Sequence, residues 1–377
     1  MKRILFVVES LAGGGAEKVL LNLIKNIDKD KFDVTVFSII KTGVYIEEIQ
    51  KYCHLIYALD DYSKCKHSIS KLLYRLKIKY IYKWNTKNVY KHFIKDKYDV
   101  EVAFLEGFST KFVSCSSNLK STKYAWVHID VLNNHNADSH YKNLEEQKNC
   151  YKSFNHIFAV SNNVKGKFIE KFNLNNIDVQ YNPVDSGEII KKAQCQQNTI
   201  DENNFNLITI GRLEEQKGYD RLLKIVKKLR DNNYTFKLYI LGDGSLKEQF
   251  EKYIVENNLD NYIKLLGFKN NPYPYLNIAD VFVCSSYAEG FSTVATEALI
   301  LGVPIITTDC AGMKELFGNY HCGLIVNNDE DSLYGALKYI LDNKENLNIY
   351  KNEINKRKDF FDIKKRMIEI EDILDGK

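Results

Sequence analysis

The sequence predicts an α/β protein built from two doubly wound parallel sheets that face each other across a cleft. At 377 residues, the chain is too long for one hydrophobic core and fits two domains of ordinary size. Short β-prone apolar runs alternate with amphipathic helical patterns in both halves, as in sheets that are covered on both faces. A polar stretch at 194–204 interrupts this alternation, which restarts at Asn206, so we interpret the stretch as a domain linker. Two such domains would bind a ligand in the cleft, at the carboxyl ends of their strands.

The predicted elements follow the same order in each half. The first strand covers 2–8 and precedes a helical pattern from about 15 to 28. Further strands of the first half are predicted at 33–38, 54–58, 100–105, 123–128 and 155–160. Those of the second half begin at Asn206 and continue at 236–241, 262–266, 280–284, 304–307 and 323–326. The predicted domains are an N-terminal domain at 1–190, a C-terminal domain at 205–345, and C-terminal helices at 346–377 that pack back across the junction.

Composition argues against several classes of protein. Hydrophobic residues make up 45% of the chain and charged residues 27%, which is typical of a globular rather than a disordered protein. The stretch Met1–Glu9 is too short for a signal peptide, and no apolar stretch reaches membrane-spanning length, so we expect a cytoplasmic protein. Eight cysteines without a Cys-x-x-Cys pair predict neither a zinc site nor a disulfide framework. A net charge of +4 is too small to indicate a nucleic acid partner.

One segment departs from this balanced charge. Residues 64–97 contain eleven Lys or Arg residues against a single acid, Asp96, and they are interleaved with aromatic side chains. A basic aromatic helix or helix pair is suited to contact with an anionic membrane, here the inner face of the cytoplasmic membrane. The alternative is an ordinary solvated surface, because lysine and tyrosine are abundant throughout the chain.

Two acids lie eight positions apart where a strand meets a helix in the second half. Glu289 lies in the turn after the apolar run 281–284, and Glu297 lies inside the helix that follows. The amides at the start of this helix, together with the helix dipole, favour an anion such as a phosphate. The residues concerned are Gly290, Phe291, Ser292 and Thr293. The alternative is a capping acid followed by a solvated helix residue.

Two cations follow the first strand of the second half. Arg212 and Lys217 lie between Gly211 and Gly218, after the strand and before the next helix. The planar guanidinium group is suited to phosphate oxygens, and the ammonium group is a compact point charge. An exposed turn with solvated charges would have the same composition.

Polar residues and glycines also follow three predicted strands of the first half. A glycine loop after the first strand opens a helix, an arrangement that suits an anion or a polar sugar but is also common in plain turns. A histidine beside a core aromatic residue is likewise often structural. The candidate residues are Gly14, Gly15, Glu17, Glu106, His128 and Asp130.

The order of these motifs resembles that of a known enzyme family. The second half contains, in sequence, Arg212 and Lys217, a glycine turn at 242–244, Leu266-Gly-Phe268, the glutamate pair, and Gly302-Val-Pro304. This order resembles the group 1 (family four) retaining glycosyltransferases of the GT-B fold, which consists of two Rossmann-like domains. The resemblance covers essentially the whole chain and is most specific over 206–326.

The resemblance implies a role for each candidate in the second half. Arg212 and Lys217 would neutralise the diphosphate of a nucleotide-sugar donor. Glu289 would bind a hydroxyl of the transferred sugar, and Glu297 the ribose hydroxyls. The remaining donor contacts would be made by Phe268 near the base and by Gly290, Phe291, Ser292 and Thr293 near phosphate or sugar.

The resemblance also implies roles in the first half. The loop with Gly14 and Gly15 would lie opposite the donor diphosphate, and His128 would contact the donor sugar. The glycine loop, with Glu17, would also help shape the acceptor site. Glu106 and Asp130 are candidates for the acceptor side from their own positions, since each follows a predicted strand at the rim of the cleft.

The activity implied is transfer of a hexose or N-acetylhexosamine, with retention, from a nucleotide sugar that we expect to be UDP-linked. The acceptor would be a glycan, which we expect to be lipid-linked, in the synthesis of capsule, lipopolysaccharide or another surface polysaccharide. No Asp-x-Asp is expected at a strand end, so neither a metal-held diphosphate nor a cofactor is expected. The cations and helix-start amides would instead balance the charge on the leaving phosphate.

Other functions stay open for this pattern of residues. A sugar-nucleotide epimerase would bind the same donor but would need acid and base groups at the sugar carbon. A non-catalytic sugar-nucleotide-binding protein would need only the binding residues. A nicotinamide oxidoreductase is disfavoured, because neither glycine loop has the required spacing.

Overall fold

A computed structural model describes residues 1–195, 200–201 and 203–377. Part of the predicted linker at 194–204 therefore lies outside the described residues. The described chain forms two compact units. Unit 1 comprises Met1–Pro183 and Lys364–Lys377, and unit 2 comprises Val184–Ile363.

Unit 1 is built on a parallel sheet. Its described residues form seven strands in the order β3-β2-β1-β4-β5-β6-β7. The strands are β1 Lys2–Val8, β2 Phe32–Lys41, β3 His54–Asp60, β4 Val100–Ala103, β5 Thr122–Val127, β6 His156–Ala159 and β7 Ile177–Val179. The helices are α1 Gly15–Asn26, α2 Ile46–Ile49, α3 Ser68–Lys83, α4 Thr86–Phe93, α5 Phe108–Ser114, α6 Leu144–Lys152 and α7 Asn162–Phe172.

Unit 2 repeats this plan. Its described residues form six parallel strands in the order β10-β9-β8-β11-β12-β13. The strands are β8 Asn206–Ile210, β9 Lys237–Leu241, β10 Ile263–Gly267, β11 Val281–Cys284, β12 Ile305–Thr308 and β13 Gly323–Val326. The helices are α8 Ser186–Ala193, α9 Tyr219–Asp231, α10 Lys247–Glu256, α11 Tyr273–Asn277, α12 Thr293–Ile300, α13 Met313–Phe317, α14 Glu330–Asp342 and α15 Asn346–Arg357. Short 3₁₀ helices occur in both units at Tyr62–Lys64, Asn136–His140, Glu215–Lys217 and Lys358–Phe361.

The last helix returns to unit 1. Helix α16, Ile363–Asp375, lies almost wholly in that unit. Tyr124 of β5 donates its hydroxyl to the Ile373 carbonyl at 3.1 Å, and Glu371 accepts the Asp28 amide at 2.9 Å. These bonds join the end of the chain to elements formed by its first part.

The strands form where the sequence has unbroken apolar runs. Ile4 to Val8 of β1 are fully buried, as required of a strand that is covered on both faces. Helix α9 turns a buried stripe, including Leu222, Val226 and Leu229, towards its sheet. The predicted α/β class is confirmed. The sequence missed β7, because three residues with a central aspartate give no strand pattern.

The strand order fixes one special position in each sheet. It reverses between β1 and β4 in unit 1 and between β8 and β11 in unit 2, and we call each position a switch point. Loops that leave adjacent strands towards opposite faces open a crevice there, at the carboxyl ends of the strands. Functional residues are therefore expected in the loops after β1, β4, β8 and β11.

The basic segment 64–97 contains two helices, α3 and α4. Over the part of the chain that the structure describes, no helix combines the length and apolar character needed to cross a membrane.

Candidate active site

The switch point of unit 2 carries three of the predicted residues. Arg212 and Lys217 follow β8, and Glu289 follows β11, the strand paired with β8. Topology alone therefore brings together loops that are about 70 residues apart in sequence.

A tight turn positions Lys217. The 3₁₀ helix Glu215–Lys217 ends at Gly218, whose φ of +62° is left-handed. A methyl group at Gly218 would overlap the Ser285 carbonyl oxygen, so the two loops approach this closely only because the residue is glycine. Ser285 Oγ donates to the Lys217 carbonyl oxygen at 2.8 Å. The backbone of Lys217 is therefore fixed against the loop after β11.

A buried arginine holds that loop from the side of α9. The Arg221 guanidinium donates to the Ser285 carbonyl oxygen at 2.9 and 2.6 Å and to the Ser286 carbonyl oxygen at 2.7 Å. It also donates to Asn328 Oδ1 at 2.7 Å and lies 4.1 Å from the ring centroid of Tyr287. Its charge is thus solvated by carbonyl oxygens and an aromatic ring, as a buried cation requires.

Further bonds fix the same loop from two other elements. Gln216 donates its amide nitrogen to the Ala288 carbonyl oxygen at 2.8 Å. Thr308 at the end of β12 donates its hydroxyl to the Ser286 carbonyl oxygen at 2.7 Å. The loop that carries Glu289 is therefore preorganised by side chains from several strands and helices.

Lys217 and Glu289 form an ion pair. Lys217 Nζ lies 2.7 Å from Glu289 Oε1, and Ser286 Oγ donates to the same oxygen at 2.5 Å. The side chains are 23% and 9% exposed, respectively, so water screens the pair only partly. Burial by itself lowers the pKa of Lys217, but the adjacent Glu289 carboxylate outweighs it and raises the pKa above its usual range. Lys217 is therefore charged and available to an anion that competes with Glu289.

Glu297 lies in the buried part of α12. It is 2% exposed, and Tyr273 Oη lies 3.4 Å from its Oε1. Ser292 caps this helix by accepting the Ala295 amide at 3.3 Å. The alternative interpretation of the pair is therefore wrong on both counts, because Glu297 is buried and the helix is capped by Ser292 rather than by Glu289.

Two predicted residues remain exposed. Among the described residues, the Arg212 side chain has neither a hydrogen bond nor an ion pair, and Phe268 is 51% exposed after Gly267. Both side chains are accessible to a ligand. The structure brings Lys217 into contact with Glu289 but gives Arg212 no such contact.

Sequence analysis missed Arg221. Its signal was a lone cation inside the buried stripe of α9, next to Leu222 and Leu223. A charge at such a position requires polar partners, and here these include the Ser285 and Ser286 carbonyl groups in the loop after β11.

An Asp-x-Asp pattern does follow a strand end, contrary to expectation. Asp329 and Asp331 lie shortly after β13. Asp329 caps α14 by accepting the Ser332 amide at 2.7 Å and its hydroxyl at 2.9 Å, while Asp331 is exposed and lies 3.5 Å from Lys228 Nζ. Both acids thus serve local structure. Across the described residues, no group of three His, Cys, Asp or Glu side chains is placed to hold a metal ion.

The switch point of unit 1 holds a buried carboxyl group. Glu106 follows β4, and its Oε1 accepts the backbone amides of His128 and Ile129, the latter at 3.0 Å. Burial raises the pKa of Glu106 to about 7, although these amides favour the charged form, and nearby Glu17 raises it further. Glu106 thus connects the loops after β4 and β5.

His128 is neutral in this setting. Burial lowers its pKa to about 3, and its Nε2 is buried without a hydrogen-bond partner among the described residues. The ring packs against Phe104, with centroids 4.9 Å apart. A neutral imidazole with an unused nitrogen can donate to or accept from a hydroxyl group.

The Asp130 carboxylate accepts hydrogen bonds from residues of its own turn. Its Oδ1 accepts the amides of Leu132 and Asn133 at 3.0 and 3.1 Å, and its Oδ2 accepts the Asn133 side chain at 2.7 Å. Gly14 is the N-cap of α1, and Gly15 and Glu17 lie in its first turn. The predicted roles of these residues towards an acceptor or donor stay predictions.

Comparison with known proteins relates part of the chain to a protein family and the whole chain to a known fold. Residues 190–357 match the family model described as "Glycosyl transferases group 1". A *Campylobacter jejuni* protein, N-acetylgalactosamine-N,N'-diacetylbacillosaminyl-diphospho-undecaprenol 4-alpha-N-acetylgalactosaminyltransferase, is 35% identical over 187 residues, 49% of this chain and 50% of that protein. The *Escherichia coli* UDP-Gal:alpha-D-GlcNAc-diphosphoundecaprenol alpha-1,3-galactosyltransferase is 34% identical over 176 residues, 45% of each chain. The matched segment thus spans about half the length of these curated relatives or less.

The fold is similar to that of a solved structure along its full length. The crystal structure of *Anabaena* Alr3699/HepE in complex with UDP and glucose has a TM-score of 0.74 to this chain, covers 100% of both chains and is 18% identical. At this level of identity, the likeness concerns the fold.

Proposed function

We propose that this chain is a group 1 glycosyltransferase that transfers a hexose or N-acetylhexosamine from a nucleotide sugar, because residues 190–357 match the group 1 model and the chain has the GT-B fold. The observation that carries the proposal is the contact between Lys217 and Glu289 at the switch point of unit 2. A fixed cation beside a fixed carboxylate offers one group for a diphosphate and one for sugar hydroxyls.

The donor is proposed to be UDP-linked and held by unit 2. Lys217 would exchange its contact with Glu289 for a phosphate oxygen, with exposed Arg212 as a second cation. The released Glu289 carboxylate would then accept a hydroxyl of the transferred sugar. Glu297, in α12, would accept a hydrogen bond from the ribose, and Phe268 would lie against the nucleotide base. The start of α12, from Gly290 to Thr293, would add its dipole on the phosphate side.

The reaction is proposed to retain the anomeric configuration and to need no metal. The acceptor hydroxyl would attack on the face that the nucleotide leaves, and a donor phosphate oxygen would take its proton. Lys217 and Arg212 would stabilise the charge that grows on the leaving phosphate. Because the loop is fixed beforehand, little reorganisation would be needed during the reaction.

The acceptor is proposed to be a glycan carried on a lipid diphosphate, in surface polysaccharide synthesis at the inner face of the cytoplasmic membrane. Two relatives named for diphospho-undecaprenol substrates support this choice. In unit 1, Glu17, Glu106 and Asp130 are proposed for the acceptor side, with His128, Gly14 and Gly15 towards the donor.

Incubation of the purified protein with a panel of UDP-sugars, with and without a lipid-diphosphate glycan, tests this function. We expect UDP release and a lengthened glycan only when the acceptor is present. An isomerised sugar formed without acceptor would identify an epimerase instead. Binding without any product would identify a sugar-nucleotide-binding protein.

A further inference from the structure

A carboxylate and two aromatic side chains meet at the switch point of unit 1, and none of the three was predicted as a site residue. Glu9 comes directly after β1, and its Oε1 accepts the Tyr82 hydroxyl of α3 at 2.8 Å. His140, the last residue of a 3₁₀ helix, has its Nε2 at 3.9 Å from the same oxygen. We call these three residues the switch-point cluster. They come from three separate segments that converge at the carboxyl end of β1.

The loop after β4 and the start of α5 support this cluster. Gly107 has a left-handed φ of +75°, and a methyl group there would come within 2.9 Å of His140 Cδ2, so the imidazole ring lies directly on this glycine. Phe108 is buried, and its ring centroid lies 4.5 Å from that of Tyr82 and 6.0 Å from that of His140. Lys111 Nζ donates to the His140 carbonyl oxygen at 2.8 Å. Both rings are therefore held in place by neighbouring parts of unit 1.

Part of the switch-point cluster is open to solvent. The Glu9 side chain is 36% exposed and that of His140 is 23% exposed, whereas Glu106 and His128 at the same switch point are buried. Within the part of the chain that the structure describes, Glu9 Oε2 has no hydrogen-bond partner. The cluster thus combines an accessible carboxylate oxygen with partly exposed rings.

A hexose suits these groups. A sugar ring carries hydroxyl groups around its edge and C–H groups on its faces. An ionised carboxylate only accepts hydrogen bonds, and its charge strengthens the bonds that it accepts from hydroxyls. Aromatic rings offer apolar surface to the C–H groups. A few fixed polar groups beside aromatic surface are the usual composition of a small-molecule site.

We propose that the switch-point cluster binds the acceptor sugar and favours one without a negative charge. Glu9 Oε2 accepts a hydrogen bond from a hydroxyl of this sugar, and Tyr82 and His140 pack against its C–H face. A uronate or a phosphorylated sugar binds less tightly, because it brings a second negative charge close to Glu9. These roles rest on the proposed function, and they add three residues and a charge preference to its acceptor side.

Binding of simple glycosides to the full chain tests these roles without a donor. Saturation-transfer difference NMR detects weak binding, and the probes are the methyl glycosides of glucose, galactose and their 2-acetamido derivatives, together with methyl glucuronide and methyl galacturonide. We expect at least one neutral glycoside to bind. Both uronides should bind on the order of tenfold more weakly than the best neutral glycoside, because their carboxylates are repelled.

Two variants separate charge from apolar contact. Glu9→Gln keeps an acceptor oxygen but carries no charge, so the difference between the neutral glycoside and the uronides should shrink to about twofold. His140→Ala removes part of the apolar surface, so neutral and charged glycosides should both weaken, by on the order of fivefold. A purely structural role of Glu9 would instead weaken all glycosides together in Glu9→Gln.

Two controls keep the result specific. Glu170→Gln changes an exposed glutamate of α7 in the same unit, and it should bind the glycosides as the wild type does. Calorimetric titration with UDP should give the same Kd for Glu9→Gln and the wild type, because Glu9 is not among the residues proposed for the donor. Thermal melts show whether each variant is folded.

Three results would overturn the proposal. The first is that no neutral glycoside binds to the wild type, and the second is that the uronides bind as tightly as the neutral glycosides. The third is a charge preference that persists in Glu9→Gln. Failure of the proposed function gives a different result, in which no UDP-sugar is turned over although the cluster still binds neutral glycosides.

Discussion

At its switch point, unit 2 presents charged side chains in contact with each other, whereas unit 1 presents a buried carboxyl group and a neutral imidazole. Lys217 and Glu289 are joined at 2.7 Å, and Arg221 fixes the loop that carries Glu289 by bonds to its backbone. Glu106 is instead held by backbone amides, and His128 keeps one ring nitrogen unused. The same strand order thus supports two electrostatic environments. One is suited to an anion, and the other to groups without charge, such as hydroxyls.

Lys217→Ala, which removes the cation of the unit 2 pair, should have the largest effect of the changes proposed here. Turnover should fall by on the order of 10²–10³, because a fixed charge opposite the leaving phosphate is lost. Steady-state release of UDP measures the effect, and a thermal melt shows whether the fold persists. Lys224→Ala, an exposed lysine of α9, is the matched control and should behave like the wild type. Near-normal turnover of Lys217→Ala would remove the basis of the proposed function.

Arg221→Met tests whether side-chain bonds fix the loop of unit 2. The change removes the donors to Ser285, Ser286 and Asn328, so unit 2 should lose about 3 kcal/mol of unfolding free energy. Chemical denaturation measures this loss. Lys224→Met on the same helix controls for the change in hydrophobicity. An unchanged midpoint would mean that the loop is held by other contacts.

Glu106→Gln tests the buried carboxyl group of unit 1 through the pH dependence of the unfolding free energy. The pKa of Glu106 is raised from an ordinary value of 4.5 to about 7, so the folded state holds the proton more tightly than the unfolded state. This stabilisation is fully present below pH 4.5 and is lost as pH rises through about 7. At about 1.4 kcal/mol per pKa unit, the pH-dependent difference in unfolding free energy reaches at most about 3.5 kcal/mol.

The expected outcome is therefore a variant that gains stability over the wild type as pH rises from 5 to 8, since the amide keeps an acceptor oxygen but carries no charge. Melting curves at both pH values measure the difference. Glu145→Gln, an exposed residue of α6, should show no such trend. A constant gap between Glu106→Gln and the wild type would mean that Glu106 does not titrate as described.

The smallest expected effect concerns metal ions. Turnover should be the same with and without a chelator, because Lys217 and Arg212 would supply the positive charge in unit 2. Initial rates before and after treatment with EDTA test this. If EDTA abolished turnover and manganese restored it, Lys217 and Arg212 would not be sufficient to stabilise the leaving phosphate.

Much of the fold could be predicted, because a parallel strand needs an unbroken apolar run. The segments 2–8, 280–284 and 304–307 show such runs, and strands formed there. β7 could not be predicted, because its three residues, with an aspartate in the middle, form no continuous apolar run. The other edge strands of the described sheets, β3, β10 and β13, were predicted, so the length and composition of a run decide whether it can be predicted, rather than its place in the sheet.

The sequence predicts where the candidate residues lie along the chain, but not the hydrogen bonds that they form. Residues after strands of a parallel sheet gather at one edge, which is why Lys217 and Glu289 were expected near each other. The bonds from Glu106 to amides 22 residues away depend on how two loops pack, and sequence spacing does not reveal such packing. Arg221 was missed for the same reason, because its partners are backbone carbonyls that any sequence could supply.

Helix α16 also sets an order of events during synthesis. Unit 2 is one continuous stretch, so all of its residues are synthesised before Lys364–Lys377. Unit 1 begins first but awaits Lys364–Lys377, whose Glu371 and Ile373 complete bonds to Asp28 and Tyr124. The nascent N-terminal sheet therefore lacks the cover of α16 on one flank while unit 2 is being synthesised, and it is completed only after Lys364–Lys377 has been made.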